Sequence, residues 1–158
     1  MRSPFLFWRK VMSPLRFVLL FVSCTSLFAA SPDDIVGVWN TADNDGKVEI
    51  YKCGSHYCGK ITDLKEKVYP ADDKQGMAGK AKIDRENPDK SKRNTPIMGL
   101  VFMEGFSFDG KIWSGGTIYD PDNGKTYKCK ITLVNDKKLK VRGYIGVSLI
   151  GRTEIWTR

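Results

Sequence analysis

From Ile35 onward, apolar and polar residues alternate one by one in short runs that turn dipeptides interrupt. A period of two belongs to strands with one face buried and the other wet. Val48 and Ile50 alternate with Lys47 and Glu49. Tyr127, Cys129, Ile131 and Leu133 take one parity, while Thr126, Lys128, Lys130 and Thr132 take the other. Leu139, Val141 and Ile145 then alternate with Lys138, Lys140 and Arg142. No stretch carries a convincing helical stripe. Asp45-Gly46, Asp109-Gly110 and Asn123-Gly124 accept the positive φ that tight hairpins demand. Asn135-Asp136 and the region of Gly146 supply two more turns.

These signals predict about eight strands, near 35–41, 47–53, 57–64, 97–104, 105–108 running with 111–120, 125–134, 138–145 and 148–157. Short antiparallel strands joined in sequence suit an all-β, eight-stranded up-and-down barrel, with a two-sheet sandwich as the alternative. Closing the sheet removes its edges and leaves room inside for side chains or one small ligand. Residues 65–96 form one long loop without periodicity. Loops of that length usually carry function or stay disordered. On a barrel, this one would lie across a mouth or hang free.

Residues 1–30 read as a cleaved signal peptide. Arg2, Arg9, Lys10 and Arg16 supply positive charge, Phe17 to Phe28 is mostly apolar, and Ala29-Ala30 are small residues at a cleavage point. Either Met1 or Met12 is the start on this reading, because residues 12–30 alone have signal-peptide proportions. The apolar run is short for a membrane span of about 20 residues, and Phe21-Val22-Ser23 before Cys24 fits a lipid-attachment box poorly. The expected mature chain, 31–158, is a single domain without a transmembrane span, periplasmic or secreted. Its formation removes four of 26 basic residues and no acidic one, so the formal charge falls from +8 to +4. Acidic residues are interspersed through Lys60–Arg93, which makes a solvated face rather than the basic stripe of a nucleic-acid groove.

Outside the cytoplasm disulfides form and persist. Cys53 ends one predicted strand and Cys58 begins the next, which places Gly54 to Tyr57 in a four-residue loop with the cysteines facing each other at its base. A disulfide is the expected state. A zinc site through Cys53, His56 and Cys58 would need a fourth ligand, and a redox pair would need C-x-x-C before a helix. Cys129 has the apolar parity of its strand and reads as a buried, inert thiol. Gly115-Gly116 inside a strand marks a bulge or bend, beside which Trp113, Tyr119 and Tyr127 are candidates to line a ligand mouth. Asn87-Pro88-Asp89 builds a capped turn. Arg93 after it pairs with Asp89 or a rim carboxylate, locking the loop down or recognising an anion.

In a closed barrel the first and last strands are neighbours. Gly37-Val38-Trp39 then meets Arg152 or Arg158, with a guanidinium lying on the indole face. This pairing resembles the calycin superfamily of lipocalins and fatty-acid-binding proteins, where it closes one end of the barrel. The chain as a whole resembles a bacterial exported family catalogued as domain of unknown function 2147. The likeness runs through Gly37-x-Trp39, the hairpin at Asp43–Gly46, Cys53-Gly54, Cys58-Gly59-x-Ile61, Asn87-Pro88-Asp89, Arg93, Pro96-Ile97-x-Gly99-Leu100, Trp113-x-Gly115-Gly116-x-Ile118-Tyr119-Asp120-Pro121, Gly124-Lys125-x-Tyr127, Leu139-x-Val141-x-Gly143 and Arg152-Thr153-x-x-Trp156. It implies a lipocalin-like barrel in the envelope or outside the cell, and brings no catalytic residue. The segment between Leu64 and Asn87 is longer than the family pattern.

There is no G-x-S-x-G, H-E-x-x-H or phosphate loop. The expected function is non-enzymatic: an exported protein that binds a small apolar or amphipathic ligand in the barrel, with no cofactor and no metal. The alternatives are an interaction module with a filled barrel that meets an envelope partner, and an envelope hydrolase working through carboxylates.

Overall fold

The computed structural model describes residues 30–158. The predicted leader, with Met12 and Cys24, lies outside the described residues. The strands are β1 (Gly37–Asn40), β2 (Gly46–Cys53), β3 (His56–Leu64), β4 (Val101–Phe108), β5 (Trp113–Ser114), β6 (Thr117–Asp120), β7 (Lys125–Asn135), β8 (Lys138–Tyr144) and β9 (Gly151–Thr157). Each pairs antiparallel with its neighbours, and β9 returns to β1 through Asn40 and Thr157. β5 and β6 are two halves of one interrupted strand, so the chain is a closed eight-stranded barrel, as the alternation predicts. The described residues hold almost no helix, only two three-residue 3-10 turns.

The middle of the chain departs from the expected boundaries. Residues 97–100 form a turn in which Gly99 has φ +87°, and β4 runs unbroken from Val101 to Phe108. Gly105, at φ +78°, bulges β4 opposite Gly116. A Cβ on Gly116 would lie 2.5 Å from the Phe106 ring and 2.6 Å from the Glu104 carbonyl oxygen. The paired glycines therefore allow two strands to approach where the sheet bends.

The β2–β3 hairpin is tighter than expected. Cys53 pairs with His56 across a two-residue turn, Gly54-Ser55, and Gly54 takes φ +66°. A glycine at the first loop position makes so short a connection available. Cys58 consequently sits opposite Tyr51, and the Cys53–Cys58 disulfide spans a diagonal with its Cα atoms 5.8 Å apart. Replacing both cysteines by serine in protein beginning at Ser31 is expected to cost about 2 kcal/mol in urea unfolding. Thiol counting on the unreduced parent should find Cys129 alone.

One end of the barrel is closed. Trp39 is fully buried, and its Nε1 donates to the Ile35 carbonyl at 2.8 Å. The Arg158 guanidinium lies 4.2 Å from the Trp39 ring centroid. Its nitrogens donate to the carbonyls of Asp136, Val36 and Asp34 at 2.6, 3.1 and 3.2 Å. Gly37 has φ +127°, with Arg158 Nη1 3.5 Å from where a Cβ would be. Arg158 thus makes the expected closure. Arg152 does not: β9 runs from the open end to the closed end, which leaves Arg152 at the opposite rim, ion-paired to Glu154 at 3.3 Å.

The long loop is folded against the outer wall rather than hanging free. Arg85 stacks 4.2 Å above Tyr69 and binds Asp73 at 2.7 Å. Asp84 is buried, accepting from Tyr119 Oη and from Asn87 Nδ2, both at 2.6 Å. The Glu86 carbonyl packs onto Gly124 so closely that no side chain fits there. Arg93 Nε donates to the Asn87 carbonyl at 2.7 Å, a bond within the loop, in place of the expected pairing with Asp89, whose carboxylate faces Lys92 instead.

Candidate functional site

The strands alternate inward and outward around one core, but the core fills only the closed half of the barrel. There Ile35, Trp39, Val48, Ile50, Phe106 and Trp113 are packed without exposure. Toward the other end, β8 turns Gly143 inward in place of a side chain, and the β1–β2, β6–β7 and β8–β9 connections stand apart. The result is a half-open cavity of about 660 Å³. Ile61, Phe102, Ile118, Val141 and Trp156 make an apolar floor. Phe102 and Trp156 pack there at a tilt of 32°, with ring centroids 6.5 Å apart.

The rim is polar and carries both signs of charge. Asp43, Asp45, Asp120 and Asp122 stand on the two tight turns, and Arg152 stands with Glu154 on β9. Glu154 also accepts from Trp156 Nε1 at 3.2 Å, which ties the ion pair to the floor. An apolar floor beneath a charged rim matches a molecule with an apolar body and a polar end. Nothing on this rim is a nucleophile paired with a base. Among the described residues, no group of three or more His, Cys, Asp and Glu side chains is placed to hold a metal ion.

The four residues expected to contact a ligand separate into two pairs. Tyr119 and Tyr127 line the cavity. Tyr127 Oη accepts from Asn123 Nδ2 at 3.2 Å, while Tyr119 Oη faces outward to Asp84. Burial, and then that bond to Asp84, push the Tyr119 hydroxyl well above the usual tyrosine range, so it stays a neutral donor. Trp113 is at the closed end, fully buried, with Nε1 donating to the Pro32 carbonyl at 2.9 Å. Its strand begins after a closed-end turn, so it has no access to the mouth. Arg93 is on the outer loop and does not line the cavity.

The sequence reading missed Phe102, Arg152, Glu154 and Trp156 as cavity residues. The last three share the inward parity of β9, and alternation traced back from Trp156 finds them. Ile145 was expected inside. β8 ends at Tyr144, however, and Ile145 lies on the exposed β8–β9 loop at the rim. Cys129 is buried as expected, and burial pushes its thiol up to about 12, too high for a thiolate nucleophile near neutral pH. His56 lies near the closed end, with Nδ1 3.0 Å from Ser107 Oγ and away from the cavity.

Residues 37–158 match the model of a family described as "Uncharacterized protein conserved in bacteria (DUF2147)". Among solved structures, the chain is similar to protein HP1028 from Helicobacter pylori, described as belonging to the lipocalin family. The TM-score is 0.66 at 22% identity, over 78% of this chain and 82% of that one. No curated protein gives a significant match.

Proposed function

We propose that this chain, which belongs to the bacterial DUF2147 family, is an exported, non-enzymatic binding protein for a small apolar or amphipathic molecule. The half-open cavity carries the reading. Its volume, about 660 Å³, falls within the roughly 300–1,000 Å³ range of small-molecule sites. A lipocalin-like barrel supports the same reading. The ligand's apolar part lies on Trp156, Phe102 and Val141, with Tyr119 and Tyr127 at its side. Its polar end meets Arg152 and Glu154. Because the closed half of the barrel is solid, the ligand occupies only the open half.

Export rests on the leader-like composition of residues 1–30, removed to leave 31–158 as one domain. The Cys53–Cys58 disulfide is consistent with an oxidising compartment. No helix among the described residues is long and apolar enough to cross a membrane.

The test is displacement of a fluorescent fatty-acid analogue from the parent and from Gly143→Phe. Gly143 has no positive φ, and a Cβ there meets Ile118 and Tyr127 at 3.7 and 3.9 Å, ordinary contact distances. The phenyl ring therefore enters the cavity without straining the strand. The parent is expected to bind. The variant is expected to melt cooperatively and bind at least about tenfold more weakly, the equivalent of 1.4 kcal/mol. Absence of displaceable binding to the parent at high micromolar probe would reject the reading.

A further inference from the structure

The β8–β9 loop, Ile145–Ile150, exposes four aliphatic side chains in six residues. Ile145 is 63% exposed, Val147 59%, Leu149 89% and Ile150 69%. Single exposed apolar residues are ordinary, but a contiguous group marks a contact surface. The loop does not hang loose. Arg142 on β8 donates from Nε to the Ser148 carbonyl at 2.7 Å and from Nη2 to the Leu149 carbonyl at 3.2 Å, and its Nη1 reaches Thr153 Oγ1 at 2.7 Å. These bonds hold the loop's backbone against the barrel and leave its aliphatic side chains in water.

Beneath the loop the outer wall is basic. The outward parity of β7 carries Lys128 and Lys130, and that of β8 carries Lys138, Lys140 and Arg142. Lys130 pairs across the strands with Arg142, and Lys140 with Thr132, which brings these cations together. No outward position of β7, β8 or β9 is acidic. Among the described residues, Lys128, Lys130, Lys138 and Lys140 make no ion pair. Lys130, Lys140 and Arg142 line a groove of about 360 Å³ whose upper lip is Ser148 and Leu149. Aliphatic side chains projecting from a pinned loop beside unpaired cations form the two halves of an interfacial anchor. The apolar part enters the headgroup boundary, and the cations meet its negative charge.

We propose that this wall docks the protein on an anionic phospholipid bilayer, with Val147 and Leu149 inserted and Lys130 and Lys140 on the headgroup phosphates. The charge distribution sets the orientation. Asp43, Asp45 and Asp122 surround the mouth, so the mouth itself is repelled and the barrel lies on its β7–β8 side. Ile145 and Ile150 belong to both the exposed loop and the cavity lining, which puts the mouth at the edge of the docked face. Docking does not depend on the cavity being occupied.

Co-sedimentation with vesicles tests this, using the mature chain, residues 31–158, which holds every described strand. Phosphatidylcholine vesicles containing phosphatidylglycerol are expected to bind it, and phosphatidylcholine alone to bind far less. High sodium chloride should weaken binding, as should removal of either lysine by about fivefold per charge. K130E/K140E and V147D/L149D should each lower partitioning at least about tenfold. All four positions are on the surface, and circular dichroism checks that folding is retained. Gly143→Phe should still bind vesicles, so failure of the cavity reading leaves this result unchanged. No binding to anionic vesicles overturns the proposal. So does binding that neither double variant weakens. Competition by inorganic phosphate with no effect of V147D/L149D would indicate a simple anion site and also reject bilayer docking.

Discussion

Replacing Trp39 by alanine is expected to lower the free energy of unfolding by about 3–5 kcal/mol, the usual cost of removing a large buried aromatic. The mechanism is specific to this barrel. The indole is fully buried, and its ring nitrogen holds the segment before β1 through the Ile35 carbonyl. Its outer face carries Arg158, which in turn binds three backbone carbonyls from two parts of the chain. Alanine would open a cavity, orphan that carbonyl and release the arginine from its stacking surface. Urea denaturation with an intrinsic fluorescence probe measures the effect. Arg158→Lys provides the scale: it keeps the charge but loses the planar fork and face, and should cost about 1–2 kcal/mol. A loss below that of Arg158→Lys for the tryptophan variant would contradict this account of the closed end.

The second large effect is expected at Asp84. This carboxylate is buried beneath the long loop and accepts from one residue of β6 and one of the loop itself. Hydrogen bonds to a charged group contribute roughly 1.5–3 kcal/mol each. Asp84→Ala removes both and leaves the Tyr119 hydroxyl and Asn87 amide without that partner. The loss falls mainly on the loop, because the barrel's own ladder does not pass through Asp84. Hydrogen exchange should therefore accelerate over residues 65–96 by at least about tenfold while β7 and β8 stay protected. Tyr119→Phe removes only one of the bonds and should give an intermediate acceleration. Unchanged exchange in Asp84→Ala would mean that the Tyr69–Arg85–Asp73 cluster alone fixes the loop.

The strands were legible because a closed barrel keeps strict inward and outward alternation, which Leu139, Val141, Cys129 and Ile131 display. The boundaries near Gly105 and Gly115-Gly116 were not, since a bulge shifts the parity and the shift shows only when the partner strand is known. Trp113 was placed at the wrong end although a count of hairpins would have placed it correctly. In a meander, consecutive turns alternate between the two ends. The same count separates Arg158 from Arg152. The cavity was legible only as a hint in Gly143. Whether the side chains around a glycine close over it depends on Phe102 and Trp156 across the barrel, and no local pattern records that distance. The paired cysteines were read correctly as a staple, but their diagonal geometry follows from the Gly54 turn.

The order in which this barrel can come together follows from how it closes. The β1–β9 seam joins residues 117 positions apart in the chain, through Asn40 and the Thr157 carbonyl, whereas the disulfide joins residues five apart. Long-range pairings carry a loop-closure cost before they give any return, and they form late. For a chain delivered from its amino-terminal side, the β2–β3 hairpin is available for oxidation while most of the sheet is still missing. Until β9 arrives, β1 is an open edge, able to pair with another chain. If the chain is exported as proposed, covalent stapling is therefore an early event and protection of the β1 edge a late one, which leaves an interval in which the hairpin is oxidised while that edge is still open.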